Sequence, residues 1–323
     1  MSTLPAPVDV EIVDLHTHYR PHWWDESGLG RRLAAGTGPG LDYAKLDDID
    51  DLTRETDAGG IALRALSAPV ELLFGPGADV PTSAVRRVNE HLRQIVDDHA
   101  GRFVGLATVD AYAGDAGAEQ ARYAIEELGL HGLVLDSSRH DLYVGSPQVR
   151  PTLEVAAAHR VPVFVHPVFA PHAGPLVAAA GRDGNSFGRG LTNGTSFLSV
   201  LHAGLPELLP DLHLVFTALG AGSLLFAADR IAEYAGGGTL NVYFDTLRFH
   251  PPTLRYLVDV LGAERVVVGS DWPIRLDGRR SGILAALGAA GLSPTEQALV
   301  AGGNARRLLT ARTQATAPDE EGS

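Results

Sequence analysis

Val13-Asp14-Leu15-His16-Thr17-His18 is a short, half-apolar run that closes on two histidines one residue apart. In a strand the side chains alternate with a period of two, so both imidazoles project from one face and can converge on one metal ion. Seven further short runs rich in Val, Leu and Phe follow, so the strand candidates are residues 12–18, 61–67, 103–109, 132–136, 161–166, 212–218, 241–246 and 266–271. Between them lie stretches with helical patterning, among them 83–99, 116–128, 148–159 and 252–261, each placed to make a crossover. Alternation of this kind is the pattern of repeated βα units and a parallel sheet. Eight units in roughly 250 residues predict an α/β fold, a single-domain (β/α)8 TIM barrel, whose reactive groups sit at the carboxyl ends of the strands.

A doubly wound sheet is the structural competitor. Its phosphate fingerprint is missing, because Gly28, Gly30, Gly36, Gly38 and Gly40 follow no strand in the required register and no Gly-Lys-Ser/Thr follows them. That stretch reads instead as a flexible loop, a lid over the barrel mouth. The barrel is assigned to residues 1–309, and 310–323, with its proline, acidic and small residues, reads as a mobile tail.

Composition narrows the chemistry. The 323 residues contain no cysteine, which excludes disulfides, thiolate ligands and a cysteine nucleophile. A formal net charge of -13 disfavours nucleic acid, whose affinity rests on clustered Lys and Arg. The expected partner is a small molecule. No run is long enough to cross a bilayer, and the N-terminal stretch has neither a basic end nor a continuous apolar segment, so a cytoplasmic protein is expected. Lys45 is the only lysine, in a polar stretch that reads as the solvated start of a surface helix, and it is given no role.

The strand ends can be inspected one by one. Strand one ends in His16 and His18, strand five in His166 of Val161-Pro162-Val163-Phe164-Val165-His166-Pro167, and strand eight in Asp271 of Val266-Val267-Val268-Gly269-Ser270-Asp271-Trp272-Pro273. Each has an ordinary alternative: His166 as a hydrogen-bonded core histidine, Asp271 as a cap on the following turn. Three imidazoles and a carboxylate at the same end of three strands leave room for a water or substrate atom, as a catalytic metal site requires. Nitrogen-rich ligation favours zinc, with manganese, iron and cobalt compatible.

These motifs, with the closing Gly302-Gly303-Asn304-Ala305-Arg306-Arg307-Leu308-Leu309, resemble the amidohydrolase superfamily, and within it the branch of aminocarboxymuconate semialdehyde decarboxylase and related aromatic acid decarboxylases. The resemblance implies ligation of one divalent ion by His16, His18, His166 and Asp271. It also implies a mononuclear centre: binuclear members bridge two metals through a carboxylated lysine on strand four, which here reads Gly132-Leu133-Val134-Leu135-Asp136. A homodimer and no organic cofactor are further expectations. The implied reaction is non-oxidative decarboxylation of a small unsaturated or aromatic acid. Hydrolysis of a lactone, ester or amide, hydration of an unsaturated acid, and a catalytically silent binding homologue are the alternatives.

One departure bears on the reaction. Members of this branch carry a histidine at the end of strand six, and Ala218 stands there in this chain. His213 lies at the opposite end of that strand. Replacement acids or bases are His250 first, then His140, His172 and His22, and Asp271 itself can share a proton. Arg20 and Arg248, just after strands one and seven, are candidates to grip a substrate carboxylate, and Trp23, Trp24 and Trp272 to wall a planar pocket. The loops 23–40 and 169–195 are expected to set the substrate.

Overall fold

Eight parallel strands pair in sequence order in the computed structural model, which describes residues 10–27, 43–75, 78–169, 174–235, 240–274 and 278–315. They are β1 Val13–His18, β2 Leu63–Ser67, β3 Phe103–Thr108, β4 Gly132–Asp136, β5 Pro162–His166, β6 His213–Phe216, β7 Val242–Asp245 and β8 Val266–Val267. The segment after β8 closes the sheet on β1: Leu15 N donates to Val268 O at 2.9 Å, Asp271 N to His16 O at 2.8 Å, and His18 N to Trp272 O at 2.8 Å. The chain is a (β/α)8 barrel, as its alternation predicts.

The surrounding helices form for local reasons. In α1 (Ile49–Gly59) the Asp48 carboxylate accepts from Asp51 N at the start, and Gly60, at a positive φ of 66°, ends it. A short α2 (Val70–Phe74) follows β2. In α3 (Thr82–Asp98) Val85, Val88, Leu92, Ile95 and Val96 fall three and four residues apart and bury one stripe against the barrel. Then come α4 (Asp115–Arg122), α5 (Arg150–Ala158), α6 (Gly174–His202), α7 (Leu224–Ala235), α8 (Pro251–Leu261), α9 (Arg280–Ala289) and α10 (Asn304–Ala315).

Apolar residues divide into two cores. The larger lies between strands and helices; the smaller fills the barrel with Val13, Leu15, Leu63, Val104, Val134, Phe164, Val215 and Val267. Ala305, Leu308 and Leu309 of α10 plug its amino end. Asn304, fully buried, donates to Ala263 O and Val266 O, both at 2.8 Å, and so ties this plug to the entry of β8. Residues 310–315, assigned to the tail from sequence, continue α10.

Two other expectations are corrected. The segment 169–195, expected as a loop, is largely the helical α6, interrupted at Gly181 (φ 55°, ψ -128°). Its glycines serve close packing: a Cβ on Gly190 would lie 2.4 Å from Leu219 O. Lys45 is not a solvated lysine; its ammonium pairs with Asp51, and with Glu55 at 2.7 Å. The glycine-rich stretch 28–40, expected as a lid, falls outside the described residues.

One irregularity decides what the barrel mouth contains. Pairing of β1 with β2 runs Val13 to Leu63 and Asp14 to Arg64, then Thr17 to Leu66 and His18 to Ser67, so β1 carries one extra residue between Asp14 and Thr17. In a regular strand Val13 and Leu15 would share one face, and His16 and His18 the other. The bulge lets both pairs face inward. Asp14 holds it: its Oδ1 accepts from His16 N at 3.1 Å and Ser270 N at 2.9 Å, and its Oδ2 from Thr17 Oγ1 at 3.1 Å, Ser270 Oγ at 2.6 Å and Arg64 Nη1. Asp14 and Arg64 are 0% and 2% exposed, so removing one leaves the other a buried, uncompensated charge. Arg64→Met is expected to cost about 3–5 kcal/mol. Urea unfolding should show a lower midpoint at an unchanged slope.

Candidate active site

The end of β1 meets the segment after β8 at the mouth. His16 Nε2 and His18 Nε2 are 3.1 Å apart, and Asp271 Oδ1 lies 3.3 Å from the first and 3.2 Å from the second. His166 comes from the end of β5, with its ring 4.9 Å from that of His18 and 5.9 Å from that of His16. One nitrogen from each of the three imidazoles lies within 4.8 Å of the other two. Asp271 has a left-handed backbone, φ 59°, which an aspartate tolerates better than most residues.

A second layer sets the tautomers. His16 Nδ1 donates to Asp245 Oδ2 at 2.7 Å, so its Nε2 presents a lone pair to the centre. The Ser67 hydroxyl donates to Thr17 O at 3.3 Å and therefore accepts from His18 Nδ1 at 3.4 Å, which exposes a second lone pair. Two nitrogen lone pairs and a carboxylate oxygen then crowd one point with no proton between them. A cation resolves that repulsion. His166 Nδ1, buried without a hydrogen-bond partner among the described residues, is a further available donor. This donor set fits a divalent ion bound by nitrogen and oxygen.

Electrostatics agree with the geometry. Burial, reinforced by His18, His16 and Arg189, pushes His166 well below the ordinary imidazole range, and burial with the neighbouring His16 lowers His18. Both shifts favour the neutral imidazole, the form in which a histidine binds a metal. Burial also opposes a charge on His16, yet Asp271 and Asp245 overcome it and raise that group. The carboxylates thus favour positive charge at this point, which a bound metal ion would supply without a proton.

Asp245 ends β7 and is fully buried. Its Oδ1 accepts from Ala218 N at 2.8 Å, so the residue that replaces the strand-six histidine helps to hold the carboxylate that orients His16. Gly269 must lack a side chain here, since a Cβ would sit 2.7 Å from Asp245 Oδ2 and 2.8 Å from His16 Cβ. Inspection of strand ends for polar residues could have found Asp245. The bulge at Asp14 gave no such signal.

The other residues singled out from sequence lie elsewhere. His250 is exposed at the start of α8, 3.1 Å from Thr253 Oγ1, and no hydrogen bond or ring contact among the described residues joins it to the four. His140 and His22 are exposed, His213 is at the amino end of β6, and His172 is outside the described residues. Arg20 is buried, and its Nε and Nη2 donate to Asp47 Oδ1 and Oδ2 at 2.7 and 2.6 Å, so the foreseen two-point grip is taken by a neighbour. Arg248 is exposed, with Nη2 3.4 Å from Ser186 Oγ. Trp23 is half-buried beneath the Arg87 guanidinium, 3.9 Å from its ring, and Trp24 lies 5.4 Å from Trp23. Trp272 is buried and donates from Nε1 to Glu55 Oε2 at 2.7 Å.

A metal-ready barrel mouth of this kind defines a class, and the chain belongs to it: the amidohydrolase family model matches residues 13–310. Among curated proteins it is 25% identical over 312 residues to 2-amino-3-carboxymuconate-6-semialdehyde decarboxylase of Dictyostelium discoideum, covering 82% of each chain. It is 27% identical over 282 residues to gamma-resorcylate decarboxylase of Rhodococcus jostii (strain RHA1), covering 74% of this chain and 83% of that one. In fold it is similar to 5-carboxyvanillate decarboxylase from Sphingomonas paucimobilis, with a TM-score of 0.78 at 21% identity over 93% of this chain and 99% of the other. The same enzyme from Novosphingobium aromaticivorans, solved with bound manganese, gives a TM-score of 0.78 at 19% identity over 94% of this chain and 97% of that one.

Loss of the carboxylate behind a metal-binding histidine typically weakens metal affinity 10–100-fold. Asp245→Asn is expected to fold and to lose metal affinity by about that factor, read by competition against a chromophoric chelator.

Proposed function

We propose that this chain is a mononuclear, metal-dependent lyase that removes carbon dioxide, without an oxidant, from a small aromatic or unsaturated carboxylic acid. The observation that carries the proposal is the convergence of His16 Nε2, His18 Nε2 and Asp271 Oδ1 beside His166. The two curated relatives named above are both decarboxylases, which supports this choice among amidohydrolase reactions. His16, His18, His166 and Asp271 would hold the ion. Three nitrogen donors favour zinc, and manganese is the ion in the Novosphingobium enzyme. When bound, the ion supplies Lewis acidity to a substrate oxygen and offsets charge that develops as the carbon–carbon bond breaks.

The protein's own residues have three tasks. Asp245 fixes the ring of His16, and the Ser67 hydroxyl that of His18. The barrel core around Phe164, whose ring is 4.7 Å from that of His16, closes the floor to water. The carbon left by departing carbon dioxide takes a proton, and with alanine at 218 no imidazole stands at the end of β6 to give it. Asp271 directs Oδ1 at the two histidines and is 19% exposed at its side chain, so Oδ2 is our candidate to carry that proton from the mouth.

No helix among the described residues is long and apolar enough to cross a membrane. Exposed Phe187 and Leu191 on α6 and Leu225 and Phe226 on α7 support a homodimer that covers them.

Metal-loaded protein is expected to release carbon dioxide from a member of a panel of hydroxylated benzoates and unsaturated acids, to stop after chelation and resume on adding metal back. Asp271→Asn should abolish release. Ring opening of lactones without gas would overturn the proposal in favour of hydrolysis.

A further inference from the structure

Asp271 holds a left-handed backbone, φ 59°, and an L-residue keeps such a conformation only where its neighbours fix it. On the preceding side the fixing group is Asp14, which accepts from Ser270 N and Ser270 Oγ. On the following side stands Trp272. Its carbonyl oxygen joins β1 by accepting from His18 N at 2.8 Å, but its side chain runs the other way. Asp271 presents Oδ1 to the two histidines at the mouth, whereas the indole, 2% exposed, packs in the core between strands and helices. Two successive side chains thus leave the segment after β8 in opposite directions, and whatever holds the indole also limits rotation of the backbone that aims Asp271.

Glu55 of α1 is the group that holds it. Its Oε2 accepts from Trp272 Nε1 at 2.7 Å, and its Oε1 from Lys45 Nζ, also at 2.7 Å. Lys45 Nζ pairs with Asp51 as well and lies 6.0 Å from the centroid of the Trp272 ring. Hydrogen bonds to Asp51 and Glu55 raise this ammonium above the ordinary lysine range, so the chain's only lysine is a charged tether and not a free amine. The same helix reaches the bulge in β1, since Thr56 Oγ1 accepts from Arg64 Nε at 3.0 Å. Helix α1 is therefore tied to both sides of Asp271: through Arg64, Asp14 and Ser270 before it, and through Glu55 and Trp272 after it.

We propose that Glu55, braced by Lys45, is a positioning residue that aims Asp271 at the metal centre by holding the indole N–H of Trp272. It touches neither ion nor substrate. The inference rests on the reading of Asp271 as a metal ligand for what the aim serves, but the hold itself is equally a property of the metal-free chain.

Two measurements test it on Glu55→Ala, Trp272→Phe and their double variant, with Asp57→Ala, which breaks the exposed Asp57–Arg102 pair of the same helix, as control. In competition against a chromophoric chelator, Glu55→Ala and Trp272→Phe are each expected to bind metal about 10-fold more weakly than the wild type. The double variant should lose no more than about that one factor, because both changes cut the same contact. Glu55→Gln, whose amide oxygen still accepts from the indole, should recover affinity to within about twofold of the wild type, and Asp57→Ala should match it. Hydrogen exchange of the metal-free protein, read by mass spectrometry over residues 269–274, should quicken several-fold in Glu55→Ala and Trp272→Phe and not in Asp57→Ala. Should Glu55→Ala fail to fold, Trp272→Phe alone must show both effects. Metal affinity unchanged in Glu55→Ala, or losses that multiply in the double variant, overturns the inference. The two readings fail separately: a wild type that binds no ion, with exchange quickened in both variants, removes the metal centre and keeps the hold. One ion per chain, bound equally by the wild type and the variants, does the reverse.

Discussion

The structure depends on one buried ion pair. Asp14 and Arg64 face each other outside the barrel wall, and through Asp14 they hold the extra residue in β1 that turns Leu15 and His16 inward together. The bulge removes His16 N from the regular ladder, and the Asp14 carboxylate satisfies it. The same carboxylate takes Ser270 N and Oγ, which anchors the segment carrying Asp271. A single side chain thereby sets the register of two ligand-bearing segments, and a slip of one residue would move His16 from the mouth into the wall.

Above that pair the site is a balance of charge. Two inward lone pairs, a third imidazole pushed towards neutrality and the Asp271 carboxylate leave a deficit of positive charge at one point. Asp245 adds to the deficit while it fixes His16, and its other oxygen is satisfied by Ala218 N. Alanine at 218 is thus compatible with an ordered centre. It leaves no imidazole at the end of β6, which is why Asp271 is the proposed proton carrier.

Much of the fold was legible because parallel barrel strands are short apolar runs at regular spacing, and all eight sit where those runs predict. The four candidate ligands were legible for a related reason: His16, His18, His166 and Asp271 end such runs, where the fold delivers side chains to the mouth. Other features depend on long-range contact and leave no periodic trace. The bulge needs Arg64 and Ser270, the hold on Trp272 needs Glu55, and the filling of the Arg20 fork needs Asp47. Segment 169–195 misled because its glycines suggest a loop, whereas Gly190 and Gly194 allow a helix to lie close against residues 218–223.

The most direct test of this account is the amount of metal retained. Protein loaded with zinc or manganese, passed through gel filtration and measured by mass spectrometry should hold one ion per chain, and His166→Ala and Asp271→Asn should each hold far less. Wild-type protein that keeps no ion after loading, or variants that keep as much as the wild type, would contradict it.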